Sequence, residues 1–231
     1  MTTNIALFGG VYSNYLALDA AITDARSRGI SDLYCLGDLG AFGPFPDRIF
    51  PLLQRHNVQC IQGNYDDSIG NNLNNCQCGY TDVRDNYYAN ISYQYTQQHT
   101  SADNKAFLRQ LPRTRVITIE QTQILLCHGS PRKLNEFLWE STSPDHFLEP
   151  FFLQHNVDVI AVTHTGIKWQ RQLPSGLFVN VGVLGRPEND GTTNVWYTIL
   201  EVSGSKTAVE FVPIEYDYQQ LAQDMQNEQL P

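Results

Sequence analysis

Four side chains of this 231-residue chain are spaced and flanked as metal ligands are: Asp38, Asn64, His128 and His164. Each closes an apolar run near a glycine. Asp38 follows Tyr34-Cys35-Leu36-Gly37, and Asn64 follows Ile61-Gln62-Gly63. His128 follows Leu125-Leu126-Cys127 and precedes Gly129, and His164 follows Ala161-Val162-Thr163, two residues before Gly166. An apolar run ending at a glycine turn reads as a buried strand that delivers one polar side chain to a sheet edge. A carboxylate, an amide and two imidazoles at one edge make a mixed oxygen and nitrogen site for a divalent ion such as Mn, Fe or Zn, one per chain. The alternative is four unrelated turns, and the fourfold repeat of one design argues against it.

The elements that must place these residues alternate between strand and helix early, then become mostly strand. Residues 4–8 read as a strand broken by Gly9-Gly10. Residues 14–28 read as a helix, with Leu16, Ala17, Ala21, Ile22 and Ala25 on one stripe and Gly29 as its stop. Residues 32–36 form the next strand, so the three elements make a right-handed parallel crossover. A second helix starts at Pro46-Asp47 and runs toward His56, with Pro51 limiting its regularity. A third strand covers residues 58–61. Residues 70–85 form a polar loop rich in Asn and Gly, too long for a simple connection and so a candidate lid or substrate loop.

Helices follow at residues 84–99 and 101–111, with Thr100 or Ser101 as N-cap and Asp103 in the first turn. Residues 115–119 and 123–127 read as a hairpin. Ser143-Pro144-Asp145 combines a cap, a proline and a first-turn acid at the start of a helix that ends near Asn156. Strands at 157–162, 168–173, 177–180, 194–202 and 207–213 complete the pattern, and residues 216–231 form a polar surface tail with helical character. The pattern predicts one α/β domain over residues 1–231, a four-layer α/β/β/α sandwich of two mixed sheets with helices outside. Ligands of such folds gather beyond the carboxyl ends of the strands.

A formal charge of −9 without any basic block excludes a nonspecific nucleic-acid binder, which needs a cationic stripe. A small phosphorylated molecule stays open as partner, because a bound cation reverses the local field. No apolar run reaches membrane-spanning length, and residues 1–9 lack the basic start and apolar core of a secretory leader. Of the five cysteines, Cys35, Cys60 and Cys127 sit in apolar strands. Cys76-Gln77-Cys78 has one intervening residue where zinc and redox pairs usually have two. The expectation is therefore free thiols and a cytoplasmic location. A homodimer is the default expectation for the assembly.

At the four turns the chain resembles the calcineurin-like metallophosphoesterases, from the first strand to about Gly191. That family's signature runs Asp-x-His, Gly-Asp, Gly-Asn-His-Asp/Glu, His, Gly-His-x-His. Gly37-Asp38 matches the second block and Gly63-Asn64 the start of the third. His128, in His128-Gly129-Ser130-Pro131-Arg132, matches the fourth, and His164 matches the first histidine of the fifth. The segment Asn180-Val181-Gly182-Val183-Leu184-Gly185-Arg186-Pro187 is also close to small bacterial members. The chain departs from the signature at three places. Gly10 and Tyr12 stand in the first block, Tyr65 stands where the third carries a catalytic histidine, and Gly166 stands at the last histidine.

The resemblance implies that every lost ligand belongs to the first of two metals, while the second keeps Asp38, Asn64, His128 and His164. It thus implies a hydrolase of small phosphate mono- or diesters working with one ion. The alternative is a catalytically silent member that binds a ligand or a protein partner. Tyr12 and Tyr65 then face the chemistry, either donating hydrogen bonds to a phosphate oxygen or leaving group or filling the space of the missing ion. A phenol, with its reference pKa near 10, is a poor base at neutral pH. Asp66 takes the place of the acid that orients the catalytic histidine and would bond Tyr65 or a ligand histidine instead. Arg132 and Arg186 follow two motif turns and are candidates to hold phosphate oxygens, with surface ion pairs as the alternative. Ser130 has no histidine and acid arranged to activate it and reads as a turn residue.

Overall fold

A computed structural model describes residues 2–231 and shows two five-stranded sheets with helices on their outer faces. In the first sheet, β1 (Thr2–Phe8) is central. It runs parallel to β2 (Asp32–Cys35), which pairs in parallel with β3 (Gln59–Cys60). On its other side it is antiparallel to β9 (Val195–Ser203), which pairs with β10 (Lys206–Ile214). The second sheet has β4 (Thr114–Ile119), β5 (Thr122–Cys127), β6 (Val159–Val162), β8 (Gly176–Val181) and β7 (Lys168–Leu173) in that spatial order. Strands β5, β6 and β8 run parallel. This is the expected α/β/β/α sandwich.

The period-2 alternation of each strand divides its residues between layers. Ile5 and Leu7 of β1 enter the core between the sheets, together with Ile124, Leu126, Val159, Ala161, Leu177 and Val179 of the second sheet. Ala6 and Phe8 face the other way and pack with Ala17, Leu18, Ala21 and Ile22 of α1 (Tyr15–Ser27). Leu125 and Cys127 of β5 likewise turn outward to Leu148, Phe151 and Phe152 of α6 (Asp145–His155). Each fully buried Leu or Ile contributes about 1.5–3 kcal/mol relative to exposure. A one-residue slip in any of these strands would exchange its two faces, so the core fixes the register and hence where each strand ends.

On either side of β3 in the chain come α2 (Ile49–Arg55), α3 (Asn64–Gly70), α4 (Val83–His99) and α5 (Ala102–Gln110), and α2 packs its Ile49, Phe50 and Leu53 into the same layer as α1. A 3-10 turn at Pro46–Arg48 precedes α2, as the proline spacing predicts. Ser101 caps α5, accepting from the Asn104 N–H, and Asp103 is in its first turn. Helix α3 is not foreseen by apolar spacing, because it is short and polar. Its first turn is held by Asp66, whose carboxylate accepts from the Gly63 N–H. Helix α6 starts after the expected proline: Pro144 is its N-cap residue and no side chain caps it. The tail helix α7 (Tyr218–Asn227) packs Leu221 and Asp224 inward, and Asp224 accepts from the Tyr15 hydroxyl at 2.7 Å.

Two of the five cysteines are not the expected free thiols: Cys76 and Cys78 are joined by a disulfide, while Cys35, Cys60 and Cys127 are free and buried. The turn through Gln77, whose backbone is left-handed, brings the two Cα atoms to 5.2 Å, within disulfide reach. No described helix is long and apolar enough to cross a membrane.

Candidate metal centre and the cleft beside it

Each candidate ligand leaves the carboxyl end of a parallel strand, and the sandwich brings those ends to one edge. Asp38 follows β2, Asn64 follows β3, His128 follows β5 and His164 follows β6. Asp38 and His164 both have left-handed backbones, at φ 55° and 53°. Non-glycine residues seldom adopt this conformation, and functional sites are one place where they gather. The turns at Gly37 and Gly63 press together, so a Cβ on Gly37 would run into the Gly63 backbone, and one on Gly63 into Asp38. Glycine is what lets the Asp38 and Asn64 turns come this close.

All four side chains are buried. His128 Nε2 lies 3.1 Å from Asn64 Oδ1, 3.2 Å from His164 Nδ1 and 3.3 Å from Asp38 Oδ2. His128 Nδ1 lies 2.7 Å from the Leu36 carbonyl, an obligate acceptor, so Nδ1 carries the ring proton and Nε2 presents a lone pair when the ring is neutral. Asn64 donates its Nδ2 to the Cys76 carbonyl at 2.8 Å, which leaves its Oδ1 toward His128. Asp38 accepts the Tyr65 N–H on Oδ1 at 3.0 Å, which leaves Oδ2 toward the same point. A single proton on His128 could serve one of three acceptors, whereas one cation serves all of them. The ligand atoms of Asp38, His128 and His164 lie within 4.8 Å of one another, so the donor set suits a divalent ion.

The electrostatics agree. Burial disfavours charge on Asp38, but the charge and hydrogen bond of His128, helped by the Tyr65 N–H, outweigh it and hold the carboxyl below its usual value. Burial also opposes a cation on His128, yet Asp38 and the Leu36 carbonyl carry its pKa above the ordinary histidine value. His164 moves the other way, down to about 3, through burial first and the neighbouring His128 second. It therefore stays neutral and keeps a lone pair available. Its Nε2 is buried without a hydrogen-bond partner among the described residues.

Asp66 is fully buried, and its carboxylate accepts three backbone N–H groups: Asp38 at 2.8 Å, Leu39 at 3.0 Å and Gly63 at 2.8 Å. It ties the Asp38 turn to the Asn64 turn and contacts neither Tyr65 nor a histidine through a hydrogen bond. Burial and the nearby Asp38 charge raise its pKa to about 7. The Tyr65 ring packs between Phe42 and Tyr93, with its hydroxyl 3.5 Å from the Ala89 carbonyl of α4. Burial pushes both the Tyr65 and Tyr12 phenols upward, so each keeps its proton.

Tyr12 lies over Gly10: a Cβ there would stand 2.7 Å from Tyr12 Cε1. The Arg186 guanidinium is 5.9 Å from the Tyr12 ring and covers Gly166, where a Cβ would meet its Nη2 at 3.3 Å. Both arginines followed motif turns in the sequence, yet they diverge in space. Arg186 lines a cavity of about 560 Å³ with Phe42, Tyr80, Phe137, Trp139 and His164. Arg132 is more than half exposed, is paired with Glu136 and sits over Phe147. Tyr80 comes from the long polar loop over residues 70–85, and Phe137 and Trp139 from the segment that follows the His128 turn. Phe137 lies 4.4 Å from the His164 ring and 5.8 Å from Trp139, stacked on it.

A family model of the calcineurin-like phosphoesterase superfamily domain matches residues 4–205. The chain belongs to that superfamily. An uncharacterized protein of Methanocaldococcus jannaschii is 26% identical over 98% of this chain and 93% of its own length. The structure is similar to a hypothetical protein of Pyrococcus horikoshii OT3, with a TM-score of 0.80 and 21% identity over 99% of this chain and 94% of that one. It is also similar to a metallophosphoesterase from Sphaerobacter thermophilus, with a TM-score of 0.73 and 23% identity over 100% and 96% of the two chains. At those identities the two structures attest the fold. The superfamily implies use of a divalent metal, and the Asp38, His128 and His164 cluster is where this calcineurin-like phosphoesterase has a donor set for one.

Proposed function

We propose that the protein hydrolyses small phosphate mono- or diesters with one divalent ion held by Asp38, Asn64, His128 and His164. The observation that carries this reading is the convergence of three acceptor atoms on the His128 Nε2 lone pair, beside an open cavity. An ion there would act as a Lewis acid on a phosphoryl oxygen and ease deprotonation of water.

The residues around it have separable tasks. Arg186, at the wall shared with His164, would take phosphate oxygens through paired N–H donors. Tyr12 keeps its proton and so would donate a hydrogen bond rather than act as a base; its ring fills the space above Gly10. Tyr65 contributes its backbone N–H to Asp38, and Asp66 fixes the two ligand turns. The aromatic faces of Tyr80, Phe137 and Trp139 offer a surface for the organic part of the ester. The proposed setting is cytoplasmic, supported by the three buried free thiols.

The test is elemental analysis of the purified protein followed by assays with p-nitrophenyl phosphate and bis(p-nitrophenyl) phosphate under Mn, Fe and Zn. One ion per chain and turnover of either ester are expected. One ion per chain with phosphate binding but no turnover of any ester would instead assign a ligand-binding role.

A further inference from the structure

Asn64 is a weak ligand by nature, a neutral amide that presents either its oxygen or its nitrogen to the centre. Which one it presents is decided by what holds its other end. Here that holder is the short loop closed by Cys76 and Cys78: Asn64 Nδ2 donates to the Cys76 carbonyl at 2.8 Å and lies 3.7 Å from Cys78 Sγ. Both cysteines are buried against the centre, yet a cavity of about 460 Å³ lined by Asn75, Gln77, Asn86, Asn90 and Asn135 opens onto them. The loop is strained and strapped. Gln77 has φ 54°, its carbonyl accepts from Asn135 Nδ2 at 2.6 Å, and its own N–H bonds Asn75 Oδ1 at 3.0 Å. Immediately after Cys78 the chain runs through Gly79, Tyr80, Thr81 and Asp82 along the substrate-side cavity.

We propose that the Cys76–Cys78 disulfide is a redox-active site that positions Asn64 and thereby sets the affinity of the centre for its ion. The proposal rests on the single-ion reading above. Reduction by a dithiol passes two electrons and two protons to the pair: the S–S bond breaks, two thiols form, and the dithiol closes into its own disulfide. The three-residue loop then loses the covalent tie that keeps Gln77 left-handed and the Cys76 carbonyl against Asn64. The amide is freed to rotate away from His128 Nε2, and the centre falls from four donors to three. Partners that orient a metal ligand are worth about 10- to 100-fold in metal affinity, and that is the expected loss on reduction. The oxidised protein is the high-affinity form, and the wall carrying Tyr80 loosens together with the centre.

The experiment titrates Mn(II) into the full-length protein by calorimetry, first oxidised, then after reduction with a phosphine and desalting, then after reoxidation. Thiol labelling with mass spectrometry reports the state of Cys76 and Cys78. The phosphine takes up one oxygen from water as the disulfide gains two hydrogens, and its removal keeps it from competing for the ion. The expected result is about 10- to 100-fold weaker Mn(II) binding in step with reduction, regained on reoxidation. Cys76→Ser/Cys78→Ser should bind weakly in both states. Asn64→Ala keeps the disulfide, should bind weakly and should lose the redox dependence, which distinguishes positioning of Asn64 from general loosening. Equal affinity in both redox states, or a redox effect that survives in Asn64→Ala, overturns the proposal while leaving the metal reading intact. An oxidised wild-type protein that takes up no ion overturns both.

Discussion

On one side of the strand-end cleft, Asp38, Asn64, His128 and His164 bring their ligand atoms around a single point. On the other, Gly10 and Gly166 carry no side chain, and the Tyr12 ring and the Arg186 guanidinium fill the space above them. The first side follows β2, β3, β5 and β6; on the second, Gly10 and Tyr12 follow β1, Gly166 follows β6 two residues after His164, and Arg186 follows β8. The first is buried and rigid, with the two left-handed ligand turns at Asp38 and His164 and the Asp66 clamp holding it in place. The second has a solvent-reachable arginine with no carboxylate in ion-pair range among the described residues. On the proposed function, the difference separates holding an ion from holding an anion. Ion binding demands fixed lone pairs, whereas anion binding asks for a cation free to close on its target.

The largest effect is expected at His128. His128→Ala removes the atom on which the other three donors converge, and metal affinity should fall by more than about 100-fold. Elemental analysis after dialysis measures it, and a wild-type metal content would show that the ligand half has been misplaced. The Asp66 clamp comes next. Asp66→Ala strands three buried N–H groups, and urea unfolding should show a loss of about 3 kcal/mol or more; an unchanged midpoint would mean that the two turns stand without it. Arg186→Ala should lower kcat/KM by about 10- to 100-fold with metal content unchanged. Loss of the ion in that variant would erase the distinction between the two halves.

Acidity sharpens the same contrast. The His128 pKa is raised in the folded chain, so the His128–Asp38 pair stabilises the metal-free protein fully below the unfolded histidine value of about 6.5. That stabilisation is lost as pH rises through the higher folded value. The ion competes with the same proton. Metal affinity should therefore climb with pH by up to about tenfold per unit across that range and then level off. A flat profile in a metal titration run at several pH values would exclude His128 as a ligand. The smallest effect belongs to Tyr12→Phe. It preserves the ring that covers Gly10 and should cost less than about 1.5 kcal/mol of stability, with metal content unchanged. A drop in kcat alone in this variant would reveal that its hydroxyl donates to the substrate.

The layering and the four strand-end turns were legible because both depend on local spacing. Alternating residues such as Ile5, Ala6, Leu7 and Phe8 must face opposite sides of a strand, and an apolar run that stops at a glycine must end near the sheet edge. Short polar helix α3 gave no such periodic signal, since a side-chain clamp rather than an apolar stripe holds its start. The Cys76–Cys78 bond was misread because one intervening residue is an unusual spacing, and only the left-handed turn at Gln77 makes the bond reachable.

By itself, the sequence determined which side chains reach the functional edge: Asp38, Asn64, His128, His164, Tyr12 and Arg186 each stand at a fixed offset from a strand that the core locks in register. The tertiary structure decided what each one meets there. It aimed Arg186 at the cavity and paired Arg132 with Glu136, turned the Tyr65 phenol into α4 while using its N–H, and set the Cys76 carbonyl against Asn64. The physical reason is range. Strand period and turn chemistry act over a few residues, whereas the direction of a side chain at the edge depends on neighbours brought from tens of residues away by packing of the two sheets.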